Sequence, residues 1–236
     1  MTQLKYLVDE ICSGVEVYFT GRSGGQYLRT AYILCDDYTE LTSKLFLLAD
    51  DRNWRDAVAT RNGERFKNYA EVQADVQGAI DAKRPEVSTE VASLLAEMRI
   101  RRTRRNDFFH TTSLLDLSVT SRNCVEAFCD LMDYGALLFA APWQAAVEAS
   151  RNLESMWYLL QLERLAFSDP AIQPAVNRIM RTWPRNVARP ARTGSHVAEF
   201  PEDLHLRLCI TNGGIELRDR LRDLYLTSAT RASALA

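Results

Sequence analysis

The segment Arg105-Asn106-Asp107-Phe108-Phe109-His110 holds the side chains of this chain best suited to chemistry on a phosphodiester. Arginine carries a permanent charge and binds phosphate oxygens through a planar, bidentate fork. Histidine exchanges a proton near neutral pH. Asn106 adds a small polar group between them. These residue types can bind a phosphate and move a proton, so the segment is the first candidate for a functional site.

The segment lies on a stretch whose apolar residues recur every three or four positions, which predicts an amphipathic helix. Its inward positions are Val87, Val91, Leu94, Met98, Arg101, Arg105, Phe108, Thr112 and Leu115. Arginine stands at two of them, where leucine or isoleucine is expected. Burying an unpaired guanidinium is very costly. Arg101 and Arg105 are therefore expected to pair with carboxylates, or to line a wet cleft or an interface.

Helical spacing also determines which side chains of the segment share a face of the helix. Asn106 and His110 are four residues apart and share one face of the helix. Arg105 and His110 are five residues apart, about 140° around the helix axis. The two side chains are therefore expected to flank a groove, or to meet the same pair from a symmetry-related copy of the helix.

Most of the remaining chain shows the same helical periodicity. It predicts helices over residues 4–19, 28–48, 66–82, 125–139 and 143–167, besides the helix that carries the segment. The second helix has a long inward stripe formed by Leu28, Ala31, Cys35, Tyr38, Leu41, Leu45 and Leu48, with Asp36, Asp37, Glu40 and Lys44 off it. Residues 50–63 are polar and predict a loop, and residues 116–121 carry turn and cap residues. Beyond residue 183, a Pro- and Arg-rich loop precedes a short strand over 204–210 and a last helix over 215–226.

The length and composition of the chain limit the classes of protein to which it can belong. The chain has 236 residues, enough for one large domain or one domain with a smaller appendage. A net charge of −2 argues against bulk electrostatic capture of nucleic acid but leaves a local basic patch possible. The five cysteines are scattered without metal-ligand spacing, which indicates reduced thiols. No signal peptide or membrane-spanning run is evident, so a cytoplasmic protein without membrane contact is expected.

The segment Arg105 to His110 resembles the signature of the HEPN superfamily: an arginine, a polar residue directly after it, and a histidine four to six residues on. The acidic and lysine pattern at Glu40 and Lys44 and a capped helix from Ser121 fit the same family. The resemblance covers roughly residues 3–141. It implies an all-α fold, a HEPN-like bundle of four to five helices over residues 1–142. Residues 143–236 would then be a mostly helical C-terminal extension with a short β element.

The resemblance also implies an activity. Active members of the family are metal-independent endoribonucleases that dimerise, so that two motifs form one cleft, and they serve as toxins, phage-defence effectors or RNA-processing factors. Arg105 would then hold the scissile phosphate, His110 would act as general acid or base, and Asn106 would orient the phosphate or the imidazole. No cofactor or metal is implied. The expected partners are RNA, a second copy, and an antitoxin or second defence subunit.

Position on the helix suggests that Arg101, Arg102 and Arg104 extend a basic rim for RNA. Two alternatives stay open. Inactive members of the family bind RNA or proteins without catalysis. In a helical assembly protein of a different class, Arg105 and His110 would only stabilise a dimer.

Overall fold

The computed structural model describes residues 2–21, 26–61, 63–110 and 118–168, together with five positions between 170 and 177. This part of the chain is mostly helical. Its elements are α1 (Thr2–Gly21), α2 (Gln26–Asp50), β1 (Ala57–Thr60), β2 (Gly63–Phe66), α3 (Tyr69–Lys83), a 3-10 turn (Pro85–Val87), α4 (Ser88–His110), α5 (Ser121–Phe139), α6 (Ala141–Ala149) and α7 (Arg151–Ser168). The predicted loop from 183, the strand over 204–210 and the helix over 215–226 lie outside the described residues.

Local capping explains where two of the helices begin. Asn68 accepts a hydrogen bond from the backbone N–H of Glu71, whose carboxylate accepts one from the backbone N–H of Asn68. Thr120 and Asn123 form the same reciprocal pair at the start of α5. Such boxes satisfy backbone donors that the first helical turn leaves without a partner. The predicted helix starts near 66 and 121 are confirmed to within about three residues.

The polar stretch after α2 is a β-hairpin, and the prediction of a loop over 50–63 is wrong at this point. β1 and β2 pair antiparallel, with Ala57 opposite Phe66 and Thr60 opposite Gly63. Gly63 has a φ of +121°, a conformation that glycine adopts without strain. The strands are only four residues long and largely exposed, so they lack the alternating apolar pattern by which strands are recognised.

The predicted helix over 143–167 is divided into α6 and α7 at Ser150. α6 packs closely on α5 at Gly135, where an added Cβ would lie 2.3 Å from the Trp143 ring. Trp143 also stacks on Phe139, with 6.1 Å between ring centroids. Glycine at position 135 therefore lets the two helices approach each other.

Two apolar clusters form the core. The larger joins α1, α2, α5, α6 and α7, and it includes Phe108 at the end of α4. The smaller joins α2, α3, α4 and α5 around Val76, Val91 and Tyr134. α6 begins at Ala141, just before the predicted boundary at residue 142, and α7 lies beyond that boundary. Both helices contribute side chains to the larger cluster.

The inward stripe predicted for α2 holds only in part. Leu28, Ala31, Cys35 and Tyr38 are buried, but Leu41 and Leu48 are 50% and 43% exposed. Their inclusion in the core was wrong because α2 is a long helix whose buried side shifts around its axis. None of the helices in the described ranges is both long and apolar enough to cross a membrane.

Candidate functional site

Arg105 lies between α4 and α2 and contacts two carboxylates of α2. Its Nη2 atom is 3.1 Å from Oδ1 of Asp37, and its Nε atom is 3.6 Å from Oδ2 of Asp36. Its Nη1 atom donates a hydrogen bond of 3.3 Å to Oδ1 of the exposed Asn106. Two of the predicted site residues are thus in direct contact. The carboxylate partner that the interrupted apolar face required at Arg105 is present.

Arg102 shares Asp36 with Arg105. Its Nη1 atom donates to Oδ2 of Asp36 at 2.5 Å and its Nη2 atom donates to Oε2 of Glu40 at 2.9 Å. Its guanidinium also lies over the ring of Tyr69, 4.7 Å from the centroid. Burial raises the pKa of Asp36, and the charge of Arg102 opposes that rise. Asp36 is thus a buried carboxylate held between two arginines.

The network continues from Arg102 to the hairpin. Glu40 pairs with Lys44 at 2.8 Å, and Lys44 pairs with Asp56 at 2.7 Å. Burial alone would raise the pKa of Glu40, but hydrogen bonds and charge from Lys44 and Arg102 lower it. Arg102, Lys44 and Arg105 are the three cations of this network. They meet four carboxylates, so the formal charge of the network is −1: Asp36, Asp37, Glu40 and Asp56. Arg102 therefore belongs to a neutralised surface rather than to a basic one.

Arg101 reaches from α4 to α5, whereas Arg102 and Arg105 reach α2. It forms an ion pair with Asp130, whose side chain is only 10% exposed. Asp130 also accepts from Nη2 of Arg164 on α7, at 3.3 Å. Burial alone would lower the pKa of Arg101, but the Asp130 carboxylate raises it. Arg101 is thus a half-buried cation that ties α4 to α5 through a buried carboxylate.

Arg104 is the remaining member of the predicted basic rim. Its Nη2 atom donates a hydrogen bond of 2.8 Å to the carbonyl oxygen of Ser118, just before α5. This contact spans the segment between α4 and α5. Because its partner is a carbonyl and not a carboxylate, the positive charge of Arg104 is less neutralised than that of Arg102.

The end of α4 is anchored on the first half of α2. Phe108 is buried, and Arg29 of α2 lies 4.5 Å above its ring. Nη2 of Arg29 also donates to the carbonyl oxygen of Phe108 at 3.3 Å. Such a contact supplies a donor to one of the last carbonyls of a helix, which have no partner within the helix. The packing at Phe108 therefore fixes the part of α4 that carries the motif.

α4 continues through His110, its last residue. The helical spacing of about 140° between positions 105 and 110 therefore applies to the folded chain. Position 110 comes seven residues after Thr103 and four after Asn106, both of which are exposed. The His110 side chain itself lies outside the described part of the structure. Its distance from Arg105 stays a prediction of the helical register.

Three carboxylates were not singled out as site residues: Asp36, Asp37 and Glu40. The available signal was their spacing on a single helix, because Asp36 and Asp37 precede Glu40 by four and three residues and so lie next to it on the surface of α2. Among the described residues, no group of three or more histidine, cysteine or acidic side chains is arranged to hold a metal ion.

Comparison with known proteins assigns the chain to no family. The chain matches no protein-family model, and no curated protein or solved structure is significantly similar to it.

Proposed function

We propose that the protein is a metal-independent endoribonuclease of the toxin or phage-defence type, with Arg105, Asn106 and His110 at its active site. The proposal combines the motif with one observation about Arg105. Arg105 contacts the buried Asp36 and also pairs with Asp37, whose side chain is 45% exposed, whereas the carboxylate partner of Arg101 is the buried Asp130. An ion pair at the surface costs little to open. Arg105 is therefore the interrupting arginine that can exchange its carboxylate partner for a phosphate.

The proposed reaction is an internal transesterification. The ribose 2′-oxygen attacks phosphorus, the bond from phosphorus to the 5′-oxygen breaks, and a 2′,3′-cyclic phosphate and a 5′-hydroxyl end form. The proton lost by the 2′-hydroxyl is balanced by the proton that the 5′-oxygen gains. His110 serves one of these transfers as general base or acid. Arg105 offsets the charge that builds up on the phosphoryl oxygens, and Asn106 positions the guanidinium.

Two copies are needed in this proposal. Arg105 and position 110 point to different sides of α4, so one copy offers the arginine and the histidine to different surfaces. A homodimer that brings two motifs together supplies both groups to one phosphate. The proposed fold is accordingly a HEPN-like helical bundle, with RNA as substrate and an antitoxin or second defence subunit as a further partner in the cytoplasm.

A second candidate is a helical module that binds RNA or protein without catalysis, or that only assembles as a dimer. The ion pairs favour it, because Arg101, Arg102 and Arg105 all have carboxylate partners within the chain. A set of structural salt bridges accounts for these arginines without any reaction. The two candidates predict different effects of Arg105 and His110 substitutions, because only the nuclease loses RNA cleavage.

One experiment separates them. Purified protein is incubated with several RNAs in EDTA, and wild type is compared with Arg105→Ala and His110→Ala. The proposal predicts 5′-hydroxyl products from wild type and almost none from either variant. Absence of cleavage by wild type on every RNA would reject the nuclease. Cleavage that neither substitution changes would reject the site. Unchanged dimerisation with weaker RNA binding by Arg105→Ala would favour the module.

A further inference from the structure

The hairpin of β1 and β2 presents one face to the protein and the other to solvent. Residues that pair across two strands lie on the same face, and successive residues of a strand alternate between the faces. Ion pairs with α2 and α3 identify the inner face, and they join Asp56 to Lys44, Arg65 to Glu71 and Lys67 to Asp75. The opposite side is the outer face, formed by Ala57, Ala59, Glu64 and Phe66.

Phe66 projects from the outer face into solvent. It is 80% exposed, the highest value among the large apolar side chains of the described residues. Ala57 lies directly opposite Phe66 in the hairpin, and Ala59 is the next residue on the same face of β1. The side chain of alanine is a single methyl group, so neither residue covers the ring. The outer face therefore offers an aromatic ring on which a flat ligand can stack.

Exposed arginines flank β1. Arg52 and Arg55 precede the strand and Arg61 follows it, and none of the three has an ion pair within the described part of the chain. Residues 51–67 hold five cationic and three acidic side chains, although the net charge of the whole chain is −2. Glu64 is the acidic member of the outer face. The hairpin is thus locally basic, and its charge is complementary to an anionic ligand.

Tyr6 shows that exposure of a ring is not sufficient for such a site. This residue of α1 is 67% exposed, second to Phe66 among the large apolar side chains that the structure describes. Asp9 and Glu10 follow it by three and four residues and are exposed, so two carboxylates lie beside the ring. These carboxylates repel an anion. At Phe66, by contrast, the exposed ring coincides with the three exposed arginines.

These features together select single-stranded nucleic acid as the ligand. Its bases are flat groups that stack on aromatic side chains, and its phosphates bind cations. In a duplex the bases are paired and stacked on one another, so they cannot cover Phe66. We propose that the outer face of the hairpin binds single-stranded RNA, with one base stacked on Phe66 and the adjacent phosphates bound by Arg55 and Arg61. That the strand is RNA rests on the proposed nuclease function.

Ion pairs connect the hairpin to the proposed active site along α2. Lys44 holds the hairpin through Asp56, and Asp37 holds Arg105. Lys44 follows Asp37 by seven residues, which is about 10 Å along the helix axis. That span equals about three stacked nucleotides. A strand with its scissile phosphate at Arg105 can therefore extend to the hairpin, which then serves as a subsite for the flanking nucleotides.

Loss of the ring should weaken binding of a single strand but not of a duplex. The probe is a labelled oligouridine of 2′-O-methyl RNA, which lacks the attacking 2′-hydroxyl and is bound without being cut. Fluorescence anisotropy should show about tenfold weaker binding by Phe66→Ala. Phe66→Tyr keeps an aromatic face and should bind as wild type does, whereas Phe66→Leu should resemble Phe66→Ala. The affinity for a duplex of the same strand should not change.

Arg61→Gln tests the electrostatic part of the proposal. It should reduce the slope of log affinity against log salt by about 0.7, because one fewer cation meets a phosphate of the single strand. Tyr6→Ala and Lys5→Gln make the matched changes on the exposed side of α1 and should leave both the affinity and the slope unchanged. Thermal unfolding checks that each variant folds.

A wild type that binds no single strand would overturn the proposal, as would wild-type affinity in Phe66→Ala or an equal loss in Tyr6→Ala. An equal loss of single-strand and duplex binding in Phe66→Ala would also overturn it, because stacking on the ring requires an unpaired base. Wild-type binding by both Phe66→Ala and Arg61→Gln would overturn it and leave the exposed face to a protein ligand.

The same variants distinguish failure of the subsite from failure of the nuclease. A wild type that binds the modified strand through Phe66 but cuts no unmodified RNA in EDTA supports the subsite and rejects the proposed activity. Cleavage with the same kcat and KM in wild type and Phe66→Ala, together with unchanged binding, rejects the subsite and leaves the activity standing.

Discussion

Arg105 on α4 and Asp37 on α2 form an ion pair of 3.1 Å at the surface, while Arg101, one helical turn earlier, forms its pair with the buried Asp130. Both arginines interrupt the same apolar face of α4. The two arginine side chains are similarly buried, at 17% and 22% exposure, but Asp130 is 10% exposed and Asp37 is 45% exposed.

The ion pair between Arg101 and Asp130 should contribute strongly to the free energy of unfolding. Arg101→Ala leaves the Asp130 carboxylate buried with Arg164 as its remaining cationic partner in the described part of the chain, and breaking a buried ion pair costs about 3 kcal/mol. Urea unfolding should show this loss as a lower midpoint with the same slope. Arg122→Ala, in the exposed pair with Glu126, should change the free energy of unfolding by less than about 0.5 kcal/mol. Equal effects of the two substitutions would show that Asp130 is adequately solvated.

Asp37 should compete with phosphate for Arg105. Asp37→Asn removes that competition and one negative charge beside the motif, so RNA affinity should rise about three- to tenfold. The slope of log affinity against log salt should steepen by about one unit, because one more cation is available to the phosphates. Fluorescence anisotropy with labelled RNA measures both. Asp9→Asn on the exposed face of α1 makes the same change in net charge on a helix that does not carry the motif. An equal gain from Asp9→Asn would attribute the effect to net charge alone.

Glu40 should make stability depend on pH. Its pKa is lowered in the folded chain by Lys44 and Arg102, which outweigh its burial. The ionised carboxylate therefore stabilises the fold above its unfolded pKa, near 4.5, and this contribution is lost as the pH falls through the lower folded value. Glu40→Gln should cost about 1–2 kcal/mol near pH 7 and clearly less near pH 4. Calorimetry at both pH values tests this, and a deficit that does not shrink at the lower pH would contradict it.

Substitution by alanine at two glycines should change the stability of the protein in opposite directions. In Gly135→Ala the new Cβ meets the Trp143 ring at 2.3 Å, so α5 and α6 must move apart at a cost of about 1–3 kcal/mol. Gly78 is exposed on α3 and has nothing within 4 Å of an added Cβ. Gly78→Ala should stabilise the protein by up to about 1 kcal/mol through helix propensity. Thermal unfolding of both variants is the measurement, and a stabilising Gly135→Ala would contradict the close packing.

Periodicity predicted most of the helices, because their buried positions recur at three and four residues in long runs. The hairpin at residues 57–66 escaped prediction, since its short and exposed strands carry no alternating pattern. Leu41 and Leu48 were assigned to the core because they continue the row of Leu28 and Ala31. A helical repeat of seven drifts around the axis, and only packing determines which part of the row is covered.

For the candidate site, the interruption at Arg101 and Arg105 correctly predicted that these arginines need partners. The carboxylate partner of each arginine depends on how α2 and α5 pack against α4. The spacing of residues along α4 does not predict that packing. The side chains of Asp36 and Asp37 are adjacent in the chain, yet one is 3% exposed and the other 45%. Successive side chains of a helix point about 100° apart, and tertiary packing covers Asp36 but not Asp37.

The central claim is that Arg105 acts on the phosphodiester and is not only a structural cation. The most direct test is the single-turnover rate of RNA cleavage in EDTA for Arg105→Ala and for Arg122→Ala, at equal dimer content. The account predicts a rate about 10²- to 10³-fold lower for Arg105→Ala, with the 5′-hydroxyl product unchanged in kind, and a wild-type rate for Arg122→Ala. Equal rates for the two variants would contradict it.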